Sequence, residues 1–250
     1  MQFSTCTSLD GVVQRSFDLD GIPGVLWTPE SGPAGAPLIL IGHPGGQHKL
    51  SPGPLFRARH YVTRYGFSAA AIDAPGHGDR PRSAEDQHWV DKMIAARAAG
   101  RSLAPSITAL NLSLANRAVP EWQAVIDALT QSPEIGSVPI GYGGMTLGSS
   151  IGIPLVTVEP RIRAAVFGGV FSYPELVEAA GRVTIPVQYL LQWNDPEIDR
   201  RTGLDLFDAF GSPEKTMHVT TGGHHEVPAF ETDDSARFYA RHLQPGERQP

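Results

Sequence analysis

The segment Gly144-Met145-Thr146-Leu147-Gly148 has the residue types and spacing best suited to a reaction. It follows an apolar strand pattern and opens a helical one, which is the context of the G-x-S-x-G nucleophile elbow, with threonine in place of serine. Glycines two positions before and after the centre leave room for neighbouring chain at a tight turn. The turn would expose the Thr146 hydroxyl beside a helix N-terminus, whose free N–H groups favour a developing negative charge. The pattern therefore predicts a nucleophilic hydroxyl.

Other chemistries have less support in the sequence. Gly141-Tyr142-Gly143 could begin a dinucleotide fingerprint, but the third glycine position of that pattern is Thr146, and no ribose-binding acid follows at the right distance. There is no H-E-x-x-H pair and no Cys/His cluster with zinc spacing. We therefore expect no cofactor and no metal.

The elements that must position Thr146 alternate between strand and helix patterns. Apolar runs that end in glycine-rich or charged loops predict buried strands, and such alternation predicts a mostly parallel sheet flanked by helices. The predicted strands are 38–41, 68–72, 138–142, 164–167, 187–193 and 215–220, and the predicted helices are 55–65, 119–130, 202–210, 229–242 and one from Thr146 onward. Ligands bind at the carboxyl ends of such strands.

Two further regions surround this alternation. Residues 12–17 and 22–27 alternate and are separated by Asp18-Leu19-Asp20-Gly21, which predicts an antiparallel hairpin at the sheet edge. Residues 82–118 have a helical, alanine-rich pattern without a strand, which predicts a small helical lid. We expect one α/β domain over residues 1–250, with the lid inserted at about 82–118.

The charge and composition of the chain limit the classes of partner that we expect. A net charge of −6 with 41% hydrophobic and 18% charged residues does not suit phosphate backbones or anionic lipid, so nucleic acid and membrane partners are not expected. The start of the chain lacks a signal-peptide pattern, which favours a cytoplasmic location. Cys6 cannot form an internal disulfide and lies near a terminus expected to fray. The expected partner is a small-molecule substrate, and a homodimer stays open.

Taken in chain order, these motifs resemble the α/β-hydrolase family, particularly its compact bacterial esterases and dienelactone-hydrolase-like members. The resemblance covers nearly the whole chain. The matching segments each follow a predicted strand or lie near the C-terminus: Gly42-His43-Pro44-Gly45-Gly46, residues 73–78, Gly144-x-Thr146-x-Gly148, Asn194-Asp195-Pro196 and Gly222-Gly223-His224. Family members place nucleophile, acid and histidine in this order.

The resemblance implies a specific set of roles. His224 would take the Thr146 proton, and Asp195 would hold the imidazole in the required tautomer. The N–H groups of Leu147 and Gly45 would form the oxyanion hole, since Pro44 has no N–H. From their positions in the chain, His48 would line the substrate pocket or be solvated, and Trp89 and Met93 would line the pocket or form the core of the lid. The implied activity is hydrolysis of a carboxylic ester, thioester or lactone through an acyl-enzyme.

Several alternatives stay open at this stage. Threonine restricts χ1 and strains a positive-φ elbow, which leaves room for a lyase or cyclase using the pocket for proton transfer, or for an inactive ligand-binding member of the fold. His225 competes with His224. Asp195 competes with Glu197 and Asp199, which suit the start of the next helix better.

Four other groups are assigned to minor roles from the sequence. Ser149 and Ser150 are weaker nucleophile candidates than Thr146 because they lie inside the following helix. His43 and His77 suit loop-bracing hydrogen bonds. Lys49 would line the pocket or be solvated, and Asp79 with Arg80 would form an exposed pair of little energetic weight.

Overall fold

The computed structural model describes residues 1–32, 35–224 and 226–244. Within these residues a single sheet of nine strands has the order β1-β2-β3-β5-β4-β6-β7-β8-β9. Its strands are β1 Gln2–Leu9, β2 Val12–Leu19, β3 Ile22–Pro29, β4 Leu38–Gly42, β5 Ser68–Ile72, β6 Ile140–Met145, β7 Ile162–Gly168, β8 Val187–Gln192 and β9 Lys215–Thr220. The helices are α1 Pro52–Tyr65, α2 Ala84–Ala98, α3 Ala104–Gln131, α4 Leu147–Val158, α5 Pro174–Gly181, α6 Arg200–Ala209 and α7 Ala229–Leu243.

The sheet is parallel from β5 to β9 and carries helices on both faces. Strands β4 and β5 are buried at every position, which explains their continuous apolar sequences. One core cluster packs the sheet against α3, α4, α5 and α6, and a second packs it against α1 and α7. The predicted mostly parallel sheet flanked by helices is therefore confirmed.

The antiparallel edge is larger than the sequence predicts. The predicted hairpin is present as β2 and β3, and its turn uses Asp20 and Gly21, both at positive φ. The expected fraying of the N-terminus is wrong, because β1 pairs with β2 along its length. Strand β1 is exposed and largely polar, so it lacks the burial signal that identified the other strands. Cys6 lies in this strand and is exposed.

The segment 82–118, predicted as a helical lid, contains α2 and the first part of α3, and no helix ends at residue 118. Helix α3 runs without interruption from Ala104 to Gln131, through Pro120. A proline inside a helix removes one backbone hydrogen bond, but buried side chains before and after it, such as Leu114 and Trp122, keep the helix packed on the core. The lid helix and the predicted helix 119–130 are thus one element.

Other boundaries agree with the predictions to within a few residues, and strands β5 and β9 agree at both ends. Helix α5, of 8 residues, was not predicted because it is too short for a clear period. Among the described residues, no helix combines the length and apolar composition needed to cross a bilayer.

Candidate active site

Thr146 occupies a strained turn between β6 and α4. Its backbone has φ 51° and ψ −112°, a conformation that β-branched residues rarely adopt. The residue is partly exposed, and Ser149 and Ser150 donate their backbone N–H groups to its carbonyl, each at 3.0 Å. The turn therefore starts α4 and holds the Thr146 side chain above the carboxyl edge of the sheet.

The glycines on either side of the turn are required by close packing. A Cβ at Gly144 would lie 2.4 Å from the carbonyl carbon of Gly148, and a Cβ at Gly148 would lie 2.8 Å from that of Gly42. Both distances are shorter than real Cβ contacts allow, and both involve backbone that cannot move aside. The spacing in the sequence thus has the mechanical origin predicted for it.

The two branches of the Thr146 side chain face different surroundings. Its hydroxyl oxygen accepts a hydrogen bond from the Gly45 N–H at 3.3 Å. Its methyl carbon lies near Gly169, where a Cβ would stand 3.6 Å away. Gly169 has φ +56°, so glycine is favoured there for the backbone as well. The threonine methyl is accommodated beside β7 while the hydroxyl faces the loop after β4.

His224 and Asp195 form a buried pair. The Nδ1 atom of His224 lies 2.7 Å from one carboxylate oxygen of Asp195, and the two side chains are 11% and 4% exposed. The other oxygen of Asp195 accepts the backbone N–H groups of Glu197 at 2.8 Å and Ile198 at 3.0 Å. These bonds fix the carboxylate, and a carboxylate on Nδ1 leaves Nε2 as the basic nitrogen.

The competing residues have other positions. Asp199 caps α6 by accepting the Arg201 N–H at 2.9 Å, as the sequence favoured. Glu197 does not serve the start of α6, because its carboxylate lies 3.3 Å from Arg97 of α2. His225 lies outside the described residues.

Ser149 and Ser150 have their hydroxyls engaged inside the fold. Ser149 is fully buried and donates toward the carbonyls of Gly144 at 2.7 Å and Gly168 at 3.0 Å. The Ser150 hydroxyl accepts from the Asn111 amide at 3.0 Å. Their positions support Thr146 as the hydroxyl available to a substrate.

Two cavities open on either side of Thr146, and both are lined by Pro44, Thr146 and His224. We call the first, of about 390 Å³, the lid cavity, because helices α2 and α3 form its far wall. We call the second, of about 370 Å³, the inner cavity, because it is enclosed by the N-terminal halves of α1 and α7. Gly45 and Leu147, the predicted oxyanion donors, line the lid cavity. Both volumes suit a small organic molecule.

The predicted substrate contacts are only partly in place. Met93 lines the lid cavity, as do Val90 and Arg97 on the same face of α2. Trp89 lines neither cavity, since its ring turns toward His88 and Lys92. His48 also lines neither cavity, because its backbone N–H bonds the Ser51 hydroxyl in the turn before α1. The predicted substrate contacts of His48 and Trp89 are therefore wrong.

The charged residues behind the site are more strongly paired than the sequence predicts. Lys49 is neither solvated nor in a cavity wall: it is buried, with its Nζ atom 2.6 Å from carboxylate oxygens of both Asp73 and Asp79. Although burial alone would lower the pKa of Lys49, these bonds raise it. Arg80 makes a bidentate pair with Glu121 at 2.7 Å. The predicted weak Asp79–Arg80 pair is therefore wrong.

The loop histidines brace the site as predicted. His43 lies 2.8 Å from the Pro44 carbonyl through Nδ1, and its Nε2 accepts the Ala74 N–H at 3.0 Å. Burial lowers the pKa of His43 to about 4. His77 lies 2.9 Å from the Pro75 carbonyl, and burial lowers its pKa as well. These neutral rings connect the loops after β4 and β5.

One group of side chains has the composition to hold a metal ion. Within the part of the chain that the structure describes, His218, Glu231 and Asp234 have ligand atoms within 4.8 Å of one another. His218 and Glu231 already form a 2.8 Å hydrogen bond. The sequence shows no zinc spacing at these residues because the candidate ligands come from two separate elements, β9 and α7.

Arg57 is a residue of the site that was missed from the sequence. It lies in α1 and lines the inner cavity together with Thr146. A signal was present, since Pro54, Ala58, Tyr61 and Val62 form the buried stripe of α1 and Arg57 falls within that stripe. A charged residue on a buried helix face is a reason to look for a ligand.

Comparisons with known proteins complete this description. No protein-family model and no curated protein matches the chain. Among solved structures, a cold-adapted esterase from an Arctic intertidal metagenomic library has 31% identity and a TM-score of 0.76, over 98% of this chain and 100% of that one.

Two more distant structures share the fold. Est1E from Butyrivibrio proteoclasticus, a structure with bound ferulic acid, has 13% identity and a TM-score of 0.68 over 91% of this chain and 98% of that one. Acetyl xylan esterase 1 from Thermoanaerobacterium has 14% identity and a TM-score of 0.70 over 96% and 87%.

Proposed function

Because the chain belongs to the α/β-hydrolase family, we propose that it hydrolyses a carboxylic ester, thioester or lactone with Thr146 as the nucleophile. The observation that carries this proposal is the convergence of three features on one point. Thr146 at the strained elbow and His224 of the His224–Asp195 pair line both cavities, and the Gly45 N–H lies 3.3 Å from the Thr146 hydroxyl oxygen.

The first half of the reaction forms an acyl-enzyme. The Thr146 oxygen attacks the carbonyl carbon while Nε2 of His224 takes the hydroxyl proton. The negative charge that forms on the carbonyl oxygen is stabilised by the N–H groups of Gly45 and Leu147, the latter at the start of α4. Collapse of this intermediate breaks the bond to the leaving group, which takes the proton from His224.

The second half restores the enzyme. His224 removes a proton from a water molecule, whose oxygen attacks the acyl carbon and forms a second oxyanion in the same place. Thr146 leaves with the proton held by His224, and the carboxylic acid is released. Asp195 accepts the hydrogen bond from the Nδ1–H of His224 throughout the reaction and stabilises the imidazolium in both halves.

A panel of short p-nitrophenyl esters tests the proposal. Replacing Thr146→Ala or His224→Ala should lower kcat/KM at least about a thousandfold, since each removes a group that the proposed acyl transfer requires. Thr63→Ala and His88→Ala are matched controls on exposed positions of α1 and α2, and they should retain wild-type activity. Wild-type activity in the His224→Ala variant would exclude the triad.

The same panel addresses the threonine. Thr146→Ser relieves a β-branched residue at positive φ and offers a less hindered oxygen, so we expect it to raise kcat by up to about tenfold. If the native protein and Thr146→Ser both lack hydrolytic activity, the chain is a proton-transfer enzyme or a binding protein built on this fold.

A further inference from the structure

The guanidinium of Arg57 is the unusual charged group of the inner cavity. Its Nε and Nη2 atoms are inaccessible to solvent and, within the described residues, have no hydrogen-bond partner. The side chain as a whole is half-buried, and it lines the same cavity as Thr146 and His224. A charge held out of water without a partner is costly, so such a group needs a reason to be retained.

No acidic side chain neutralises Arg57 in the described structure. The ionisable groups that influence it are the phenols of Tyr61, Tyr142 and Tyr239, and burial lowers its pKa from the ordinary value. Glu231 is the acidic residue among those lining the inner cavity, and it is engaged by His218 at 2.8 Å. Arg57 thus differs from Arg59 on the same helix, whose guanidinium lies 2.7 Å from the carboxylate of Asp10.

The backbone around the cavity adds to the positive potential. Pro52 and Gly53, at the start of α1, and Ala229, at the start of α7, all line the inner cavity. Helix N-termini carry partial positive charge, and their first residues have N–H groups outside the helical hydrogen-bond ladder; here these are Gly53 and Ala229, because Pro52 has no N–H. Together with Arg57 they make this side of Thr146 suited to an anion.

From these observations we infer that the substrate carries a carboxylate, which Arg57 binds in the inner cavity while the ester reaches Thr146. The inference rests on the proposed function and narrows its substrate class to half-esters of short dicarboxylic acids, carboxylated lactones or esters of hydroxy acids. The planar fork of a guanidinium matches a carboxylate with two parallel hydrogen bonds. A cavity of about 370 Å³ limits the anionic part to a short chain.

Paired substrates test the inference through a ratio of rates. Monomethyl esters of succinate, glutarate and adipate place the carboxylate in the acyl part, acetoxy acids place it in the alcohol part, and dimethyl glutarate and ethyl acetate are neutral references. We expect wild-type kcat/KM to favour at least one anionic ester over its neutral reference. In Arg57→Met, the kcat/KM of the anionic ester divided by that of its neutral reference should fall about a hundredfold, since charge-assisted hydrogen bonds are lost. Arg57→Lys should keep part of the preference, and Arg59→Met should keep it fully.

A direct binding measurement separates this inference from the proposed function. Calorimetric titration of glutarate into the Thr146→Ala protein needs no turnover, and we expect saturable binding that Arg57→Met weakens about a hundredfold and Arg59→Met does not. If esters are hydrolysed but the ratio is the same in wild type and Arg57→Met, the inference is wrong and the proposed function stands. If no ester is hydrolysed but glutarate binds through Arg57, the anion site stands and the proposed function fails. Absence of both preference and dicarboxylate binding overturns the inference.

Discussion

The lid cavity and the inner cavity treat charge differently. In the lid cavity, Arg82 bonds Gln87 at 2.9 Å, Asp86 pairs with Arg117 at 2.6 Å, and Arg97 lies 3.3 Å from Glu197. In the inner cavity, two nitrogen atoms of Arg57 have no hydrogen-bond partner among the described residues. The charged side chains of the lid cavity therefore each have a partner, although one oxygen of Asp86 is buried without one, whereas Arg57 in the wall of the inner cavity has no ion pair among the described residues. Similar volumes thus do not imply similar ligands.

The largest effect should come from the groups that both cavities share. Replacing Asp195→Asn leaves the shape of both cavities intact but favours the wrong tautomer of His224, so kcat should fall on the order of ten-thousandfold. The loss should be equal for neutral and anionic esters. Asp199→Asn, at the cap of α6, serves as the control. A loss confined to one substrate type would show that the cavities do not share one reaction centre.

Low pH should destabilise the fold at His43, which connects the loops after β4 and β5. His43 is 2% exposed and its pKa is lowered from 6.5 to about 4, so between these values the unfolded chain binds a proton that the fold excludes. The stability contributed by a neutral His43 is therefore present above pH 6.5 and is lost as the pH falls toward 4. We expect the free energy of unfolding to drop by about 3 kcal/mol across this window.

Chemical denaturation at a series of pH values measures that drop. His77 has a lowered pKa and contributes with the same sign. His43→Gln should make the free energy of unfolding depend less steeply on pH between 6.5 and 4. His88→Gln, on the exposed side of α2, should leave that dependence unchanged. A slope that is the same in His43→Gln and wild type would show that His43 titrates normally.

The smallest effect is expected for the ion pair that joins α2 to the loop between β8 and α6, which carries Asp195. Arg97 and Glu197 are 67% and 36% exposed, and exposed pairs contribute little. Arg97→Met should change the free energy of unfolding by less than about 1 kcal/mol and keep the preference for anionic esters. A fall in that preference as large as the one expected for Arg57→Met would place the anion in the lid cavity instead.

Sequence reasoning brought the residues of the proposed reaction centre to one edge of the sheet, but it predicted the surfaces around them less well. Thr146, Asp195 and His224 follow strand ends, and parallel strands bring their carboxyl ends to one edge, so chain order is enough to bring them together. Which lid residues face the cavity depends on the rotation of α2, and an error of one position separates Trp89 from Val90. No local pattern fixes that rotation.

Two other failures have physical causes of their own. The continuity of α3 through Pro120 depends on tertiary packing that outweighs one missing hydrogen bond, and a local reading of proline predicts the opposite. Arg57 was missed because arginine is ordinarily assigned to solvent, and only three-dimensional structure shows that its Nε and Nη2 atoms have no partner within residues 1–32, 35–224 and 226–244. The sequence shows how far apart residues lie along the chain, but not which side chains pair in the fold.

The nucleophile is the central claim, and labelling tests it most directly. The protein is treated with a hydroxyl-directed fluorophosphonate and digested, and the modified peptide is located by mass spectrometry, with Thr146→Ala and His224→Ala treated in parallel. We predict one adduct on Thr146 in the native protein and none in either variant. An adduct on another hydroxyl, or ester hydrolysis by a protein that no reagent modifies at Thr146, would contradict the account.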